Sequence, residues 1–590
     1  MPVITLPSDG EKPYGNELRA AINAINDAVD ATIAGLPDTV NATIETGLTP
    51  EAAQAIADRP EVDTAVAALL SDPDSYSGAS VNSVVAAAPI RGQVPFATDA
   101  AVTAPSDVSF RLARATREFY TLRLPLYDLD LRFDPSATGG LALAYTTVTG
   151  LGMNRAWSSG AITYTQPDTT TTHETFTEMC ALDPFGVYEL DIANLAYTSY
   201  GVLGIEVRST DGRRIVTTYR AHEDRISSEY LNASGTPVGP SGDWAFASDP
   251  TSFTMRVQFM GRSLIVWMVV NGVETYLGRK YFGAEVDLRD PAQKWVIGVN
   301  GRSSFNPMTF KVTGFRGYIS GNGHADPRIV TYEDGTPVQE ADTVWVAMTT
   351  RGSDIPDAIQ GVYSLNVSTG EMQMTGAIFG DRGDGIRRND NAGKVIYDRR
   401  DRTWKLLFIG HSDYPTNKSN YFGQTGQDLR YGVHVLPVSA ITTPDATRLF
   451  EDMDVALSGG RWIGTASRDA SVSVKMQTNL GGTIAGPWFQ IASDGSGETG
   501  NTLTNVGGEW FVLSGTTTAV GDPSQFVVRD YATFAIQSPL VMDRTPRANR
   551  VWPVMFPVVV SGNRRWRMLS FDRTAPAGAY SYGRILFYKD

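Results

Sequence analysis

The chain has 590 residues, 42% of them hydrophobic and 10% aromatic, with 57 glycines. This length exceeds a single hydrophobic core, and the composition is typical of ordered, turn-rich β structure, which excludes a disordered chain or a continuous coiled coil. The formal charge of −14 and the single Cys180 argue against a nucleic-acid partner, which requires a basic surface, and exclude an intrachain disulfide.

The N-terminal sequence predicts where the protein is synthesised. MPVITLPSDGEKPYG has no basic flank followed by an apolar core, and no later stretch contains the roughly 18 apolar residues of a membrane helix. We therefore expect synthesis in a cytoplasm, no export by an N-terminal signal and no membrane insertion.

Residues 1–95 predict a segmented helical stalk. Helical spacing from Asn16 onward places five apolar residues on one narrow stripe: Leu18, Ile22, Ile25, Val29 and Ile33. Such a seam suits contacts between helices, in a dimer or a trimer. The alternative is a helical cap that packs on the following domain.

Residues 96–325 predict a linker followed by a β-sandwich. Apolar and polar residues alternate in stretches such as YGVLGIEVRST, SFTMRVQFM and SLIVWMVVNGVETYLG, which are separated by turn signals such as the Asn-Gly pair at 271. No helical pattern of ordinary length interrupts them. The strand, turn and strand text around Asn271 resembles laminin-G or concanavalin-like jelly rolls.

Residues 326–590 contain a repeat. Tryptophans recur at intervals of 48 to 59 residues, each at the start of a β-rich run: Trp345, Trp404, Trp462, Trp510 and Trp566. A period near 50 residues with about four strands per unit is typical of a β-propeller. The sequence therefore predicts five blades, and we expect the terminal GRILFYKD to complete the first blade and close the ring.

Acidic residues precede several of the predicted hairpins. Alignment on the tryptophans places acids at the start of the first strand in four blades: Asp326, Asp390, Asp452 with Asp454, and Glu498. First strands line the channel of a propeller, so these carboxylates can converge. An aspartate before a strand can also stabilise a turn by bonding its own backbone, so each of these acids has a purely structural role as the alternative.

With this pattern, residues 326–590 resemble the five-bladed glycoside hydrolases of the arabinanase, xylosidase and invertase type. The resemblance implies that Asp326 is the base or nucleophile, Asp454 or Asp452 sets the pKa and holds the sugar, and Glu498 is the general acid. Two acids compete in blade three and blade four reads ETGN. These departures favour a propeller that binds sugar without cleaving it.

Loop aromatics and scattered histidines are the remaining candidates for ligand sites. Tyr414, Tyr421 and Phe422 in HSDYPTNKSNYFGQTG, and Trp157 in NRAWSSG, are candidates for stacking on sugars, with local packing as the alternative. Five histidines without metal-ligand spacing predict no zinc site. The loop GDRGDGIRRNDN could hold calcium but departs from known spacing, so a polar turn is favoured and no cofactor is expected.

The text PYGNELRAAINAINDAVD resembles the attachment segments of siphophage minor tail proteins. That resemblance implies a tail fibre or minor tail protein at the tail tip of the virion, homotrimeric through its stalk. Its partners would be other tail-tip or baseplate proteins and the host surface polysaccharide. The alternatives are a tail-borne glycoside hydrolase that cleaves wall polysaccharide and a purely structural tail scaffold.

Overall fold

A computed structural model describes much of the chain after residue 110. The described residues are 111–113, 123–128, 145–149, 152–158, 160–166, 170–239, 241–246, 249–282, 285–320, 324–351, 358–411, 419–469, 472–494, 497–516, 525–537, 539–541, 550–572 and 585–589. Within these ranges the protein is all-β, apart from one short 3₁₀ helix, Ala221–Glu223. The predicted helical stalk and Tyr414 lie outside them.

Among the described residues, sixteen strands precede residue 321: β1 (Arg111–Ala113), β2 (Arg123–Asp128), β3 (Tyr145–Thr149), β4 (Asn154–Ser158), β5 (Ala161–Gln166), β6 (Thr172–Ala181), β7 (Gly186–Tyr197), β8 (Val202–Ser209), β9 (Arg214–Arg220), β10 (Arg225–Leu231), β11 (Gly242–Ala245), β12 (Phe253–Met260), β13 (Ser263–Val270), β14 (Val273–Tyr281), β15 (Trp295–Ser304) and β16 (Met308–Ser320).

Twenty-one described strands follow: β17 (His324–Ile329), β18 (Thr331–Tyr332), β19 (Gln339–Glu340), β20 (Thr343–Arg351), β21 (Ala358–Asn366), β22 (Met372–Asp381), β23 (Asn389–Asp398), β24 (Thr403–His411), β25 (Ser419–Thr425), β26 (Gly432–Ala440), β27 (Phe450–Ser458), β28 (Arg461–Arg468), β29 (Val472–Thr483), β30 (Gly486–Asp494), β31 (Glu498–Val506), β32 (Glu509–Thr516), β33 (Gln525–Asp530), β34 (Leu540–Val541), β35 (Arg550–Val560), β36 (Asn563–Asp572) and β37 (Ile585–Lys589).

Strands β2–β16 form two antiparallel sheets around one core. The seven-stranded sheet has the order β11-β10-β9-β8-β15-β6-β3, and the eight-stranded sheet has the order β14-β13-β12-β7-β16-β5-β4 with β2 beside β16. Alternation along β8 turns Leu203, Ile205 and Val207 into the shared core, whereas Glu206 lies on the opposite face. This is the two-sheet layout that the alternating sequence predicted.

Apart from the two-residue strands β18 and β19, which pair with β23 and β20, the strands after β16 form five four-stranded antiparallel groups, the last completed by β1. The first two, β17-β20-β21-β22 and β23-β24-β25-β26, are joined into one larger sheet because β22 pairs with β26 in parallel. The next two are β27-β28-β29-β30 and β31-β32-β33-β34, and the fifth contains β35, β36, β37 and β1. Each group contains one of the repeating tryptophans on its second strand: Trp345, Trp404, Trp462, Trp510 and Trp566.

The first strands of the five groups approach one another in a closed cycle. Their backbones come within 8 Å between β17 and β23, β23 and β27, β27 and β31, β31 and β35, and again between β35 and β17. The first strands therefore lie around a common centre, where their side chains can meet.

The C-terminal strand lies elsewhere than predicted. Residues 585–589 pair with β36 of the fifth group and with β1, not with the first group. Arg111–Ala113, which lies within the predicted linker and sandwich region 96–325, thus supplies the fourth strand of the last group and covers the edge of β37. The physical reason is that β36 and β37 are successive strands that pair directly, which leaves the far edge of β37 for β1.

The two-sheet region and the five groups share a hydrophobic core. Trp267 and Ile319 from the eight-stranded sheet cluster with Ile329 and Phe379 from the first group. The ring centroids of Phe185 and Phe379 are 5.0 Å apart. Burial of this apolar surface makes the two regions one compact body.

The chain divides into two compact units, and nearly all described residues belong to the larger unit, which contains the sheets given above. Of the described residues, only 339–342 and 561–564 belong to the smaller unit; there, the Gln339 side-chain amide donates to the Ala341 carbonyl at 2.6 Å. In the part of the chain that the structure describes, no helix is long and apolar enough to span a membrane.

Candidate functional site

A repeated backbone feature marks the centre of the five groups. Each first strand contains one residue with a left-handed backbone, with φ of 55°, 50°, 64°, 67° and 65°: Asp326, Ala392, Asp452, Gly500 and Trp552. In the first four strands the pairing register shifts at this residue. Such β-bulges re-aim side chains and are frequent beside functional sites. We call these five residues the bulge ring.

The bulge ring corrects the alignment of the acids. Asp326 and Asp452 occupy equivalent ring positions. Asp390 and Glu498 each lie two residues before a bulge, whereas Asp454 lies two residues after one. The tryptophan alignment correctly placed all five acids near the start of their first strands. Relative to the bulge, however, they occupy three different positions along the strand: before it, at it and after it.

The two acids of the ring interact electrostatically. Asp326 and Asp452 are 9% and 8% exposed. Burial raises the pKa of Asp452 well above its usual range, and the negative charges of Glu451 and Asp326 raise it further, against the opposing effect of Arg328. Asp452 therefore favours its protonated form at a pH where an ordinary aspartate is ionised.

An ion-pair network lies at the next level. The Lys394 ammonium is 3.1 Å from the Asp454 carboxylate, which also accepts the backbone N–H of Leu503 at 2.9 Å. Burial alone would raise the pKa of Asp454, but Lys394 and Arg328 outweigh it and lower that pKa. Arg328 is buried and donates to the Asp452 carbonyl at 2.7 Å. Asp454 is thus an ionised structural partner.

Glu498 is held by donors from three other strands. Its carboxylate accepts the hydroxyls of Ser473 at 2.8 Å and Ser514 at 2.7 Å, and the Arg529 guanidinium donates to both of its oxygens, at 2.6 and 3.3 Å. Charge-assisted hydrogen bonds of this kind are short and strong, and they hold the carboxylate in place. Both oxygens of Glu498 are thus occupied by donors within the chain, which is typical of a structural carboxylate.

Asp390, at the equivalent position of the second group, has a similar but smaller set of donors. Arg382 donates to one oxygen at 2.6 Å and the Gly380 backbone N–H to the other at 3.1 Å. Burial raises the pKa of Asp390 to about 6 although Arg382 opposes the shift.

Trp552 is a ring residue that sequence reasoning missed, because the fifth blade was searched only for acids. The Arg328 guanidinium lies 4.9 Å from the centroid of its ring. A Cβ on Gly500 would lie 2.5 Å from the Trp552 ring, so the glycine leaves room for it. A signal was present: Asp326 and Trp552 are each followed by a proline.

The structure places the predicted aromatics on strands. Trp157 lies in β4 and packs against the core of the two-sheet region. Tyr421 and Phe422 are successive residues of β25 and pack against two different cores, with Tyr421 stacked on Phe408 at 5.8 Å. For these three the structure shows local packing.

The loop proposed for calcium forms internal turns. The Asp381 carboxylate accepts the backbone N–H groups of Gly383 and Gly385, and Asp384 pairs with Arg388. His324 is buried beside the Tyr363 ring, 5.1 Å away between centroids. Among the described residues, no three His, Cys, Asp or Glu side chains are grouped as metal ligands.

Comparisons with known proteins give only remote similarities. No protein family and no curated protein matches the sequence. Among solved structures, an exo-β-1,3-galactanase of Clostridium thermocellum matches with a TM-score of 0.33 and 10% identity over 45% of this chain and 62% of that enzyme. The α-L-arabinofuranosidase of Podospora anserina, solved with cellotriose, matches with a TM-score of 0.33 and 13% identity over 46% of this chain and 91% of the enzyme.

A carbohydrate-binding module of Bacillus subtilis matches with a TM-score of 0.21 and 12% identity over 29% of this chain and 96% of the module. These similar structures are thus glycoside hydrolases and a carbohydrate-binding module. At such scores they establish neither a fold nor an activity for this chain.

Proposed function

We propose that this chain is a carbohydrate-binding tail fibre or minor tail protein of a bacteriophage, with residues 326–590 folded as a five-bladed propeller. The closed cycle formed by the five first strands supports the propeller. So does the occurrence of one repeating tryptophan in each four-stranded group. The sandwich is proposed to be of the concanavalin-like type and the domain boundaries to lie near residues 95 and 325.

The arrangement around Glu498 favours binding over hydrolysis. Cleavage of a glycosidic bond needs one protonated and one ionised carboxyl beside the bond. Glu498 is buried, and its carboxylate forms an ion pair with Arg529 and accepts hydrogen bonds from two serine hydroxyls, which suits a structural role rather than proton transfer to a sugar. This is the observation that carries the proposal.

The bulge ring supplies groups that could bind a sugar. Asp326 and Asp452 bring two carboxyl groups to the centre. The Nε and Nη1 atoms of Arg328 are buried and make no hydrogen bond to the residues that the structure describes. Buried donors normally have partners, and sugar hydroxyls can accept from a guanidinium and donate to carboxylates.

Binding to soluble polysaccharides tests this proposal. Asp326→Asn keeps the shape of the side chain and removes its charge, so we expect roughly tenfold weaker binding, since a hydrogen bond to a charged group contributes about 1.5–3 kcal/mol. The matched control is Asp445→Asn, an exposed aspartate that bonds only within its own turn. Equal affinity of both variants and the unchanged protein, by calorimetry, would contradict a site at the ring.

The proposed phage origin and the proposed homotrimer both rest on the N-terminal sequence. The apolar seam of Leu18, Ile22, Ile25, Val29 and Ile33 is proposed to hold a homotrimer at the tail tip, where three copies multiply weak sugar contacts. Deletion of residues 1–95 should then yield monomers in light scattering while the full chain runs as an oligomer. A truncated protein of unchanged oligomeric mass would show that the β regions assemble by themselves.

A tail-borne glycoside hydrolase is the second candidate, and one observation favours it. The raised pKa of Asp452 brings a carboxyl group that favours its protonated form to a ring position equivalent to that of a second carboxyl group, Asp326. In that case Asp452 would be the acid and Asp326 the base, and Glu498 would have a structural role.

A further inference from the structure

Three connections between the two sheets of the β-sandwich meet at one of its ends. They join β5 to β6, β7 to β8 and β15 to β16. Met308, at the start of β16, pairs with Gln166 at the end of β5 and with Tyr197 at the end of β7. Ser304, at the end of β15, pairs with Thr172 at the start of β6. The short β15–β16 connection, residues 305–307, therefore lies among the ends of the neighbouring strands.

Phe305 in this connection is both exposed and strained. Its side chain is 60% exposed and its φ is 58°, in the left-handed region that bulky residues rarely adopt. Two other aromatic residues of the described chain share this conformation, Phe534 and Trp552, but they are 7% and 4% exposed. Burial of an aromatic ring can offset backbone strain at those two positions, and at Phe305 it does not.

Hydrogen bonds fix the backbone on both sides of Phe305. Its own N–H donates to the Thr171 carbonyl at 3.2 Å. The Asn306 side chain accepts the Ser199 hydroxyl at 2.7 Å and donates to the Ser304 carbonyl at 2.7 Å. The Ser303 hydroxyl donates to the Asn306 carbonyl, also at 2.7 Å. This network holds the phenyl ring outward, in a position that packing within the chain does not require.

The side chains of this hydrogen-bond network are polar and uncharged. Besides Ser199 and Asn306, the network contains the hydroxyls of Thr198 and Thr172, which bond to Asn306 and Ser304. An aromatic face beside hydroxyl and amide groups can bind a ligand that has an apolar face and a hydroxylated rim. A neutral pyranose has these two features.

We propose that Phe305 is the stacking platform of a second carbohydrate site, specific for neutral sugars, at this end of the sandwich. The inference rests on the proposed carbohydrate-binding function but not on the bulge ring. The hydrogen-bond network fixes the backbone at Phe305 before the sugar arrives, so little backbone freedom is lost on binding. Ser199 and Asn306 lie beside the platform, where they can bond sugar hydroxyls.

The test measures binding of the full chain to dextran, arabinan and galactan by calorimetry and by saturation-transfer NMR. Phe305→Ala should weaken binding roughly tenfold, because it removes the aromatic face on which the sugar stacks. The control is Tyr281→Ala, which removes an aromatic that is 58% exposed on β14 and is absent from the residues with left-handed φ. It should leave binding unchanged.

A third variant separates a binding role from a structural one. Phe305→Gly relieves the left-handed strain, so it should raise the melting temperature while weakening sugar binding as Phe305→Ala does. Unchanged affinity in both Phe305 variants would overturn the inference. If Asp326→Asn weakens binding in the same experiment and the Phe305 variants do not, the proposed function stands and this second site does not. If the unchanged protein binds none of the three glycans, both fail.

Discussion

Glu498 begins β31 and receives hydrogen bonds from Ser473 on β29, Ser514 on β32 and Arg529 on β33. Arg529 also lies 2.6 Å from the exposed Asp494 carboxylate, so its charge has two partners. The acid is therefore part of the packing between the third and fourth groups. Its contacts make it a structural residue before any ligand is considered.

Glu498→Gln should lower the free energy of unfolding by about 3 kcal/mol, because it leaves the buried Arg529 without its best-placed countercharge. This destabilisation is at the low end of the range for breaking a buried ion pair, because Asp494 still neutralises part of the Arg529 charge. Urea unfolding followed by fluorescence measures it. Glu509→Gln, at an exposed position at the other end of the same β31–β32 hairpin, is the control and should stay within about 0.5 kcal/mol. Equal midpoints for the two variants would rule out the structural role.

Single residues show what sequence patterns could and could not predict about the site. Asp326 and Asp452 were placed correctly at the start of first strands because an acid before an alternating run is a local signal. The Arg529 partner of Glu498 was not predictable, because the contact joins two strands 31 residues apart in the chain. The sequence did not show that, of the five candidate acids, only Asp326 and Asp452 occupy bulge positions. A β-bulge shifts the pairing register without a recognisable sequence pattern.

At the scale of the strand, the same left-handed backbone conformation recurs in all five first strands, although different residue types adopt it. Glycine adopts a left-handed φ without cost, aspartate tolerates it, and alanine and tryptophan are strained there. Gly500 has a further constraint, because the Trp552 ring fills the space where its Cβ would be. Ala392 occupies the equivalent position of the second group and already has a Cβ.

Gly500→Ala should therefore destabilise the protein by about 3 kcal/mol, from backbone strain together with overlap with Trp552. Ala392→Gly at the equivalent bulge should change stability by less than about 1 kcal/mol, because relief of strain offsets the lost methyl group. Thermal unfolding of the two variants checks this contrast. Similar losses in both would show that the two bulges are not equivalent.

Strand groups were more predictable than their edges. The tryptophan period predicted five groups correctly because it is a local repeat, and each tryptophan lies on a second strand. The partner of the C-terminal strand was predicted wrongly. Leu112 pairs with Tyr588, and a contact across nearly the whole chain leaves no local pattern. The sandwich strands were predicted well, since alternation and the Asn271-Gly272 turn are local as well.

For the whole molecule, the sequence suggested separate β modules, whereas the structure joins them through a common core. Trp267 lies on the outer face of the eight-stranded sheet and packs with residues of the first four-stranded group. Apolar residues on both faces of β13 were the available signal, in SLIVWMVV. A ring site and a sandwich site within one compact unit would let a single chain contact a glycan surface at two places.

We propose that this protein binds host glycan without cleaving it. The direct measurement is release of reducing ends from purified host-wall polysaccharide incubated with the full chain, beside a binding assay on the same material. We predict saturable binding and no reducing ends above those of the Asp326→Asn protein. Reducing ends that increase with time, and that disappear in Asp326→Asn or Asp452→Asn, would contradict the claim and identify the ring as an active site.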